Sequence, residues 1–421
     1  MVHTRFEHSL GVFELTRRIL EWIRKNASKE GILEESGIDL IEERRRGILA
    51  SALLHDIGHA PLSHTLDGVL TEESHEEFGI FLIENSLIKE DVDEELVEEA
   101  LKILKMVYAK EKLRNVTGDE LVVQAFSNQL LGSQMDADRM DFLIRDSYHS
   151  GVQYGMFDVE RMLRVIVALR GNLAVNRPPE RSVPIVEEFV LSRYEMYRQV
   201  YHHKVSESYN GMLRLLITKL RNHGSLKLVK KVGREPVVVY SIDFWDGGSY
   251  SGEVEYRYFD DTWVLQLIKS IMRRGIVLDD NREREIVENL ARGILHREHY
   301  RAAYTIEDDY VRFREVLFEL LVRRKEEIDE ILRQEGSFSF AKKVRGYQLQ
   351  EENGEREEVY ILNSEKDDLE PISFYSRLLK NVARSFLPIF RIYTPTGELP
   401  REIERIIEKE KKNADARVKG E

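Results

Sequence analysis

Residues 53–64 read LLHDIGHAPLSH, and the fold and its chemistry are both legible from there. Three imidazoles and a carboxylate stand within ten residues of one another. They lie at the end of an apolar run, LIEERRRGILASALLHDIGH, whose three- and four-residue spacing predicts a helix. His55 and Asp56 are adjacent, so they diverge by roughly 100° on a helix, yet both can reach one ion above its end. His59 follows His55 by four residues and is expected on the same face. His64 comes after Pro61, which breaks the helix. Imidazoles and a carboxylate crowded at a buried helix end are costly unless something binds them, and a metal ion would satisfy them all. A solvated surface cluster is the plainer alternative for this stretch alone.

Two further stretches fit the same picture. MDADRMDFLIRDSYHSG, residues 135–151, carries Asp136, Asp138, Asp141 and Asp146 among apolar residues, and carboxylates in such a helix need partners. Asp138, Phe142 and Asp146 share a helical stripe, and Arg145 is expected to pair with Asp141. RYEMYRQVYHHK, residues 193–204, places Arg193, Tyr197 and Tyr201 at i, i+4 and i+8, with His203 and Lys204 beyond. Read as chemistry, that stripe offers phosphate binding and stacking; read as structure, tyrosines at this spacing are core or interface. Histidine is concentrated at the front: His3, His8, His55, His59, His64 and His75 all precede residue 76.

Outward from these motifs the chain reads as mainly helical. Helices are expected over FELTRRILEWIRK, SHEEFGIFLIENSLI (with Ser74 and Glu77 as a capping box), VDEELVEEALKILKMVYAKEK, GDELVVQAFSNQLL and IVEEFVLSRYEMYRQVYHHKVSESYNGMLRLLITKL. LRVIVALRGNLAVNRPPERSVP suggests short strands or a hairpin. SLKLVKKVGREPVVVYSIDFWDGG suggests a β-hairpin insertion. FSFAKKVRGYQL, EVYILN and LPIFRIYTP read as strands around a short helix, and the last fifteen or so residues are expected to fray. The expected organisation is a catalytic core over 1–225, a β-rich insertion over 226–260, a helical continuation over 261–335 and an α+β region with a charged tail over 336–421.

Composition narrows the chemistry. There is no Cys in 421 residues, so disulfides and thiolate metal sites are excluded, and any metal must take His, Asp or Glu. The formal net charge of -13 argues against general nucleic-acid coating. LKLVKKVGR, residues 226–234, reads as a solvated hairpin rather than a single-strand-binding patch. No leader and no membrane-length apolar run is visible in the sequence, which predicts a cytoplasmic protein.

His8, His55-Asp56 and Asp138, in that order, resemble the signature of HD-domain metal-dependent phosphohydrolases. RFEHSLGV, HDIGHAPLSH, DADRMDFLIRDSYHSG and YRQVYHHK resemble one branch in particular, the deoxynucleoside triphosphate triphosphohydrolases that include the SAM-and-HD-domain dNTPases. The resemblance covers about residues 1–310 and extends weakly to FRIYTP. It implies an HD-domain helical bundle, mainly α, with a β-hairpin insertion and a small α+β C-terminal region. It implies hydrolysis of a deoxynucleoside triphosphate to deoxynucleoside and inorganic triphosphate.

The implied metal ligands are His8, His55, Asp56 and Asp138, holding one divalent ion per site; Mn, Fe, Mg, Ni and Zn all suit such donors. The resemblance makes His64 the general acid and sets His59 and His75 on phosphate beside the metal. It offers Arg5, Arg139, Arg193 and Lys204 as triphosphate clamps, Asp146 for the sugar 3′-hydroxyl, Tyr201 under the sugar and Tyr197 at base or sugar. A nucleotide substrate and a homo-oligomer, dimer or tetramer, follow from the same likeness. Phe142 stands where those enzymes carry a Tyr, and Tyr148 and Tyr197 replace His residues. Relatives also carry several dozen residues before the first motif, whereas Met1 falls just ahead of it here. A late start or an altered base pocket and regulatory interface is the expectation. The alternatives are a phosphatase or phosphodiesterase of the same family acting on another small phosphorylated substrate, and a nucleotide-binding regulatory protein.

Overall fold

The computed structural model describes all residues except 1–2, 71–72, 86–91, 109–117, 177, 232–233, 307–310, 345–358, 364–367, 385 and 421. The chain divides into two compact units, Met1–His59 with Glu73–Arg198 and Arg345–Phe386, and Ala60–Glu72 with Gln199–Val344 and Leu387–Glu421. Both are mainly helical with small sheets, as the sequence pattern predicts.

In the first unit the Arg5–Glu30 helix is the spine. Thr4 and Glu7 close a reciprocal capping box at its start, and Gly31, at φ 73°, ends it. Val12, Leu15, Ile19, Leu20 and Ile23 are buried at helical spacing. Asn26, buried near the far end, donates to Ile166 O at 2.7 Å and so ties the helix to the first strand. Ile166–Leu169 and Asn172–Val175 form the expected hairpin. Tyr360–Asn363 adds to it in parallel and Asp368–Pro371 completes four strands. Ala27, Ile32, Val167, Leu169, Ala174 and Leu362 make one buried cluster there.

The expected capping box on His75–Asn85 forms: Ser74 N donates to Glu77 Oε2 at 3.4 Å, and Glu77 N to Ser74 Oγ at 3.3 Å. Two helix expectations need correction. The helix read over 40–59 is two, Ile38–Glu43 and Arg45–Leu54, and His55–Gly58 is a turn. The turn is needed because Gly58 packs against the start of the His75–Asn85 helix. A Cβ on Gly58 would fall 2.0 Å from His75 O and 2.3 Å from Gly79 N. The helix read through 185–220 is interrupted: Pro179–Met196 is followed by a π-helical segment, Tyr197–Tyr201, before Lys204–Asn222 begins.

In the second unit the hairpin expected after residue 225 is a three-stranded antiparallel sheet of Leu226–Lys231, Arg234–Asp243 and Ser249–Glu255. The third strand, SYSGEVE, is mostly polar and lies inside the β-rich stretch expected over 226–260. Arg301–Thr305, Leu387–Thr394 and Phe338–Val344 form a second sheet with Leu387–Thr394 in the middle. The tail does not fray. Arg401–Lys419 is one helix that buries Ile403, Ile406, Ile407, Glu410 and Ala414, and its charges occupy the outer face. No helix among the described residues is long and apolar enough to cross a membrane.

Candidate metal centre

Three segments of the first unit build the centre: His8, His55 and Asp56 offer ligand atoms within 4.8 Å of one another, and Asp138 Oδ1 lies 3.0 Å from His8 Nε2. His8 lies in the opening turns of the Arg5–Glu30 helix. His55 caps the Arg45–Leu54 helix and Asp56 follows it in the turn. Asp138 stands in the first turn of Ala137–Ser150, whose N-cap is the buried Asp136, accepting from Arg139 N at 2.7 Å.

The imidazoles are buried, His8 to 6 % exposure and His55 to 4 %. In each, Nδ1 is committed. His55 Nδ1 lies 2.8 Å from Ala52 O, and His8 Nδ1 lies 2.7 Å from Asp141 Oδ2. A carbonyl only accepts, so His55 carries a proton on Nδ1, and Nε2 is the nitrogen left to face an ion. That Nε2 is buried without a hydrogen-bond partner. It lies 3.4 Å from Asp56 Oδ1 and 3.8 Å from Asp138 Oδ1. His8 Nε2 lies 3.0 Å from Asp138 Oδ1 and 3.5 Å from Asp56 Oδ2. Donor atoms about 2.1 Å from a shared ion stand about 3.0 Å apart in an octahedral arrangement and about 3.4 Å apart in a tetrahedral one. The donor set and its spacing therefore fit a divalent cation.

Protonation follows the same crowding. Burial alone would lower the His8 pKa, but hydrogen bonds to Asp138 and Asp141 outweigh it and raise it to about 10. His55 is raised as well, Asp56 and Asp138 overcoming its burial. Burial opposes ionisation of Asp56 and Asp138 too, yet the facing imidazoles hold both carboxyls below their usual range. Asp136 goes the other way: burial lifts it to about 6 against the pull of Arg139.

The remaining predicted residues sort by unit. Around the centre, Arg5 pairs with the Asp56 carboxylate, and His59 Nε2 lies 3.5 Å from Asp56 Oδ1. His59 stacks on His75 at 3.8 Å between ring centroids. His59 gets there through the turn at Gly58, not by sharing a helix face with His55. Arg139 pairs with Asp136 and donates to Ser133 O. Arg193 Nη1 donates to Gln134 Oε1 at 2.7 Å, with its guanidinium 5.8 Å from the Tyr197 ring. Asp146 pairs with His3 Nε2 at 3.2 Å. His64, Tyr201 and Lys204 belong to the second unit. His64 is exposed there in a short 3₁₀ turn, with Nδ1 3.1 Å from Asp67 Oδ2. Tyr201 closes the π-helical segment Tyr197–Tyr201.

Asp141 is the residue that sequence reasoning undervalued. It does pair with Arg145 as expected, through Nε at 2.8 Å and Nη2 at 2.9 Å, but its Oδ2 also fixes His8. The signal was its place three residues after Asp138, on a neighbouring line of the same helix. Gly11 makes room for it: a Cβ there would come within 1.9 Å of Asp141 Oδ1. Beside the centre a cavity of about 700 Å³ runs from His55, Asp56 and Asp138 past His75 and Arg139 to the Asp119–Gly132 helix.

Residues 5–139 match the family model described as HD domain. YwfO of Bacillus subtilis, an uncharacterized protein, is 33 % identical over 223 residues, 52 % of this chain and 45 % of the relative. Bovine SAMHD1, a deoxynucleoside triphosphate triphosphohydrolase, is 26 % identical over 274 residues, 57 % of this chain and 43 % of that one. The chain spans about half the length of the curated relatives it matches. A phosphohydrolase crystal structure from Bacteroides thetaiotaomicron superposes with a TM-score of 0.59 at 21 % identity, covering 93 % of this chain and 88 % of that one, and shares the fold.

Proposed function

We infer that this chain, which carries an HD domain over residues 5–139, is a metal-dependent phosphohydrolase acting on deoxynucleoside triphosphates. One observation carries the reading. Two buried imidazoles, each held at Nδ1, turn Nε2 toward the same two carboxylates. His8, His55, Asp56 and Asp138 would hold the ion, which when bound supplies a Lewis acid for a phosphoryl oxygen.

The chain's own residues supply the rest. Arg5, His59, His75, Arg139 and Arg193 provide positive charge and hydrogen-bond donors for a polyanion, which several cations bind better than one. The nucleotide class is supported by the order of the four motifs and by the similarity to SAMHD1. Within that reading His64 gives a proton to the departing 5′ oxygen, the part of a general acid that an imidazole N–H can play. Asp146 accepts from the sugar 3′-hydroxyl, Tyr201 packs under the sugar, Tyr197 touches base or sugar, and Lys204 joins the phosphate clamp. The roles of His64, Tyr201 and Lys204 are carried over from the family resemblance alone. A cytoplasmic homo-oligomer belongs to the same reading.

The test is turnover of each dNTP by the metal-loaded full chain beside its His55→Ala variant. Activity in the first and its loss in a folded second is the expected result; equal rates in the two remove the metal centre from the chemistry.

Phe142, Tyr148 and Tyr197 favour a second reading, a phosphatase or phosphodiesterase for another small phosphorylated substrate, because each replaces a polar group of the dNTPase pattern. Hydrolysis of an aryl phosphate without turnover of any dNTP selects it.

A further inference from the structure

We propose that the exposed edge strand Ser249–Glu255 pairs with the same strand of a second copy of this chain, antiparallel about a two-fold axis at Gly252. This gives the homo-oligomer of the reading above a contact face, and it rests on none of the reaction chemistry.

The strand ends a three-stranded sheet and pairs on one side only, with Arg234–Asp243. Ser249, Tyr250, Ser251, Glu253 and Glu255 are exposed, and Gly252 and Val254 are half-buried. Among the described residues no backbone hydrogen bond from any further element reaches it. Alternate N–H and C=O groups on its outer side are thus left to water, the usual template for one more strand. The register divides its side chains. Tyr250, Gly252 and Val254 stand opposite Ile242, Tyr240 and Val238. Ile242 and Val238 are buried, so these three lie on the covered face, with Ser249, Ser251, Glu253 and Glu255 on the open one.

A two-fold axis normal to a sheet reverses the strand and keeps its faces, so the residue on the axis sets the register. Gly252 is the midpoint, and an axis there engages all seven residues. Glu253 then stands opposite the partner's Ser251, Glu255 opposite the partner's Ser249, and Tyr250 opposite the partner's Val254. Serine hydroxyls donate to carboxylates, and an aromatic ring beside a β-branched residue is a favourable cross-strand pair. Other registers lose this match. An axis at Glu253 opposes that carboxylate to its own copy, and one at Val254 opposes Glu253 to the partner's Glu255; like charges so placed destabilise. An axis at Ser251 shortens the ladder and sets Tyr250 against glycine. The covered face is also built up to the axis. A Cβ on Gly252 would come 2.9 Å from Tyr240 Oη. The Tyr240 ring stacks on Tyr250 at 4.6 Å and meets Trp263 edge-on at 5.2 Å. Pairing joins this aromatic cluster to that of the second copy and covers Tyr250, 37 % exposed in the single chain.

The sequence has no Cys, so introduced thiols report alone. The test oxidises full-chain Ser251→Cys and Glu253→Cys proteins separately and as a mixture, with sedimentation of the wild-type chain alongside. Opposed Cα atoms of an antiparallel pair lie about 4.5–5.5 Å apart, within the span of about 4.4–6.8 Å that a disulfide bridges. Position 251 and its own copy are diagonal neighbours, about 7–8 Å apart. The mixture is therefore expected to link one chain of each kind, and each protein alone to stay largely unlinked. Ser251→Lys, opposite the partner's Glu253, should tighten the dimer about fivefold and Ser251→Glu loosen it by as much, since each acts twice across the axis. A wild-type chain that sediments as a monomer overturns the pairing. So does a mixture that fails to link, Ser251→Cys that links as well by itself, or equal dimer affinity in the two charged variants. Each of these leaves the dNTPase reading standing, because turnover tests that separately.

Discussion

Asp141 Oδ2 lies 2.7 Å from His8 Nδ1, while the same carboxylate grips Arg145 in two-point contact. The helix Ala137–Ser150 thus supplies one carboxylate to the candidate metal centre, Asp138, and a second that sets the ring of His8. Fixing the far nitrogen of a ligating imidazole chooses its tautomer and raises its basicity.

Asp141→Ala should therefore weaken metal binding by about 10–100-fold while the fold survives, with Asp141→Asn in between. A chelator-competition titration reads this directly. Wild-type affinity in Asp141→Ala would leave the contact without a role in holding the ligand.

Gly11→Ala tests the same contact from the other helix. Its Cβ would overlap Asp141 Oδ1 at 1.9 Å and Arg145 Nη2 at 2.4 Å. Forced overpacking of this kind costs about 1–3 kcal/mol. Lower denaturant stability together with weaker metal binding is expected. Weaker binding should appear even at temperatures where the variant is fully folded. Loss of stability with unaltered metal affinity would mean that Asp141 can move without disturbing His8.

Metal removal should lower the melting temperature, because an ion that binds only the folded chain adds about 4 kcal/mol when present at a thousandfold its Kd. In His55→Ala the chelator should make little difference to melting. A melting curve of wild-type protein indifferent to chelation and to readdition of Mn, Fe, Mg, Ni or Zn speaks against a resident ion.

Alkaline stability has a separate origin in the second unit. Burial pushes the phenols of Tyr300 and Tyr304 up to about 12, against about 10 in an unfolded chain. The fold favours the protonated form, so its full contribution is present below pH 10 and is lost as pH rises toward 12. Each group gives a slope of about 1.4 kcal/mol per pH unit across that window. The double variant Tyr300→Phe and Tyr304→Phe should flatten the decline in denaturant melts between those limits. An equally steep decline would assign it to other groups.

Much of this was legible in the chain itself. The spacing of apolar residues gives the helices, and His55, Asp56 and Asp138 stand out because ionisable groups in apolar helices need partners, while the family resemblance joins His8 to them. What escaped did so for physical reasons. The turn at Gly58 is set by how closely Gly79 and the start of its helix approach, a tertiary demand that periodicity does not register. The π-helical Tyr197–Tyr201 segment keeps an α-helical pattern in sequence while departing from it in space. The tail helix was hidden by its charge, although Ile403, Ile406 and Ile407 already trace a buried stripe. Asp141 carried two partners, and the near one in sequence, Arg145, concealed the far one.

The most direct test of the central claim is product separation after metal-loaded protein has been incubated with each dNTP. Deoxynucleoside and inorganic triphosphate are expected in equal amounts, with neither appearing in His55→Ala. Release of pyrophosphate or orthophosphate with no triphosphate would contradict it.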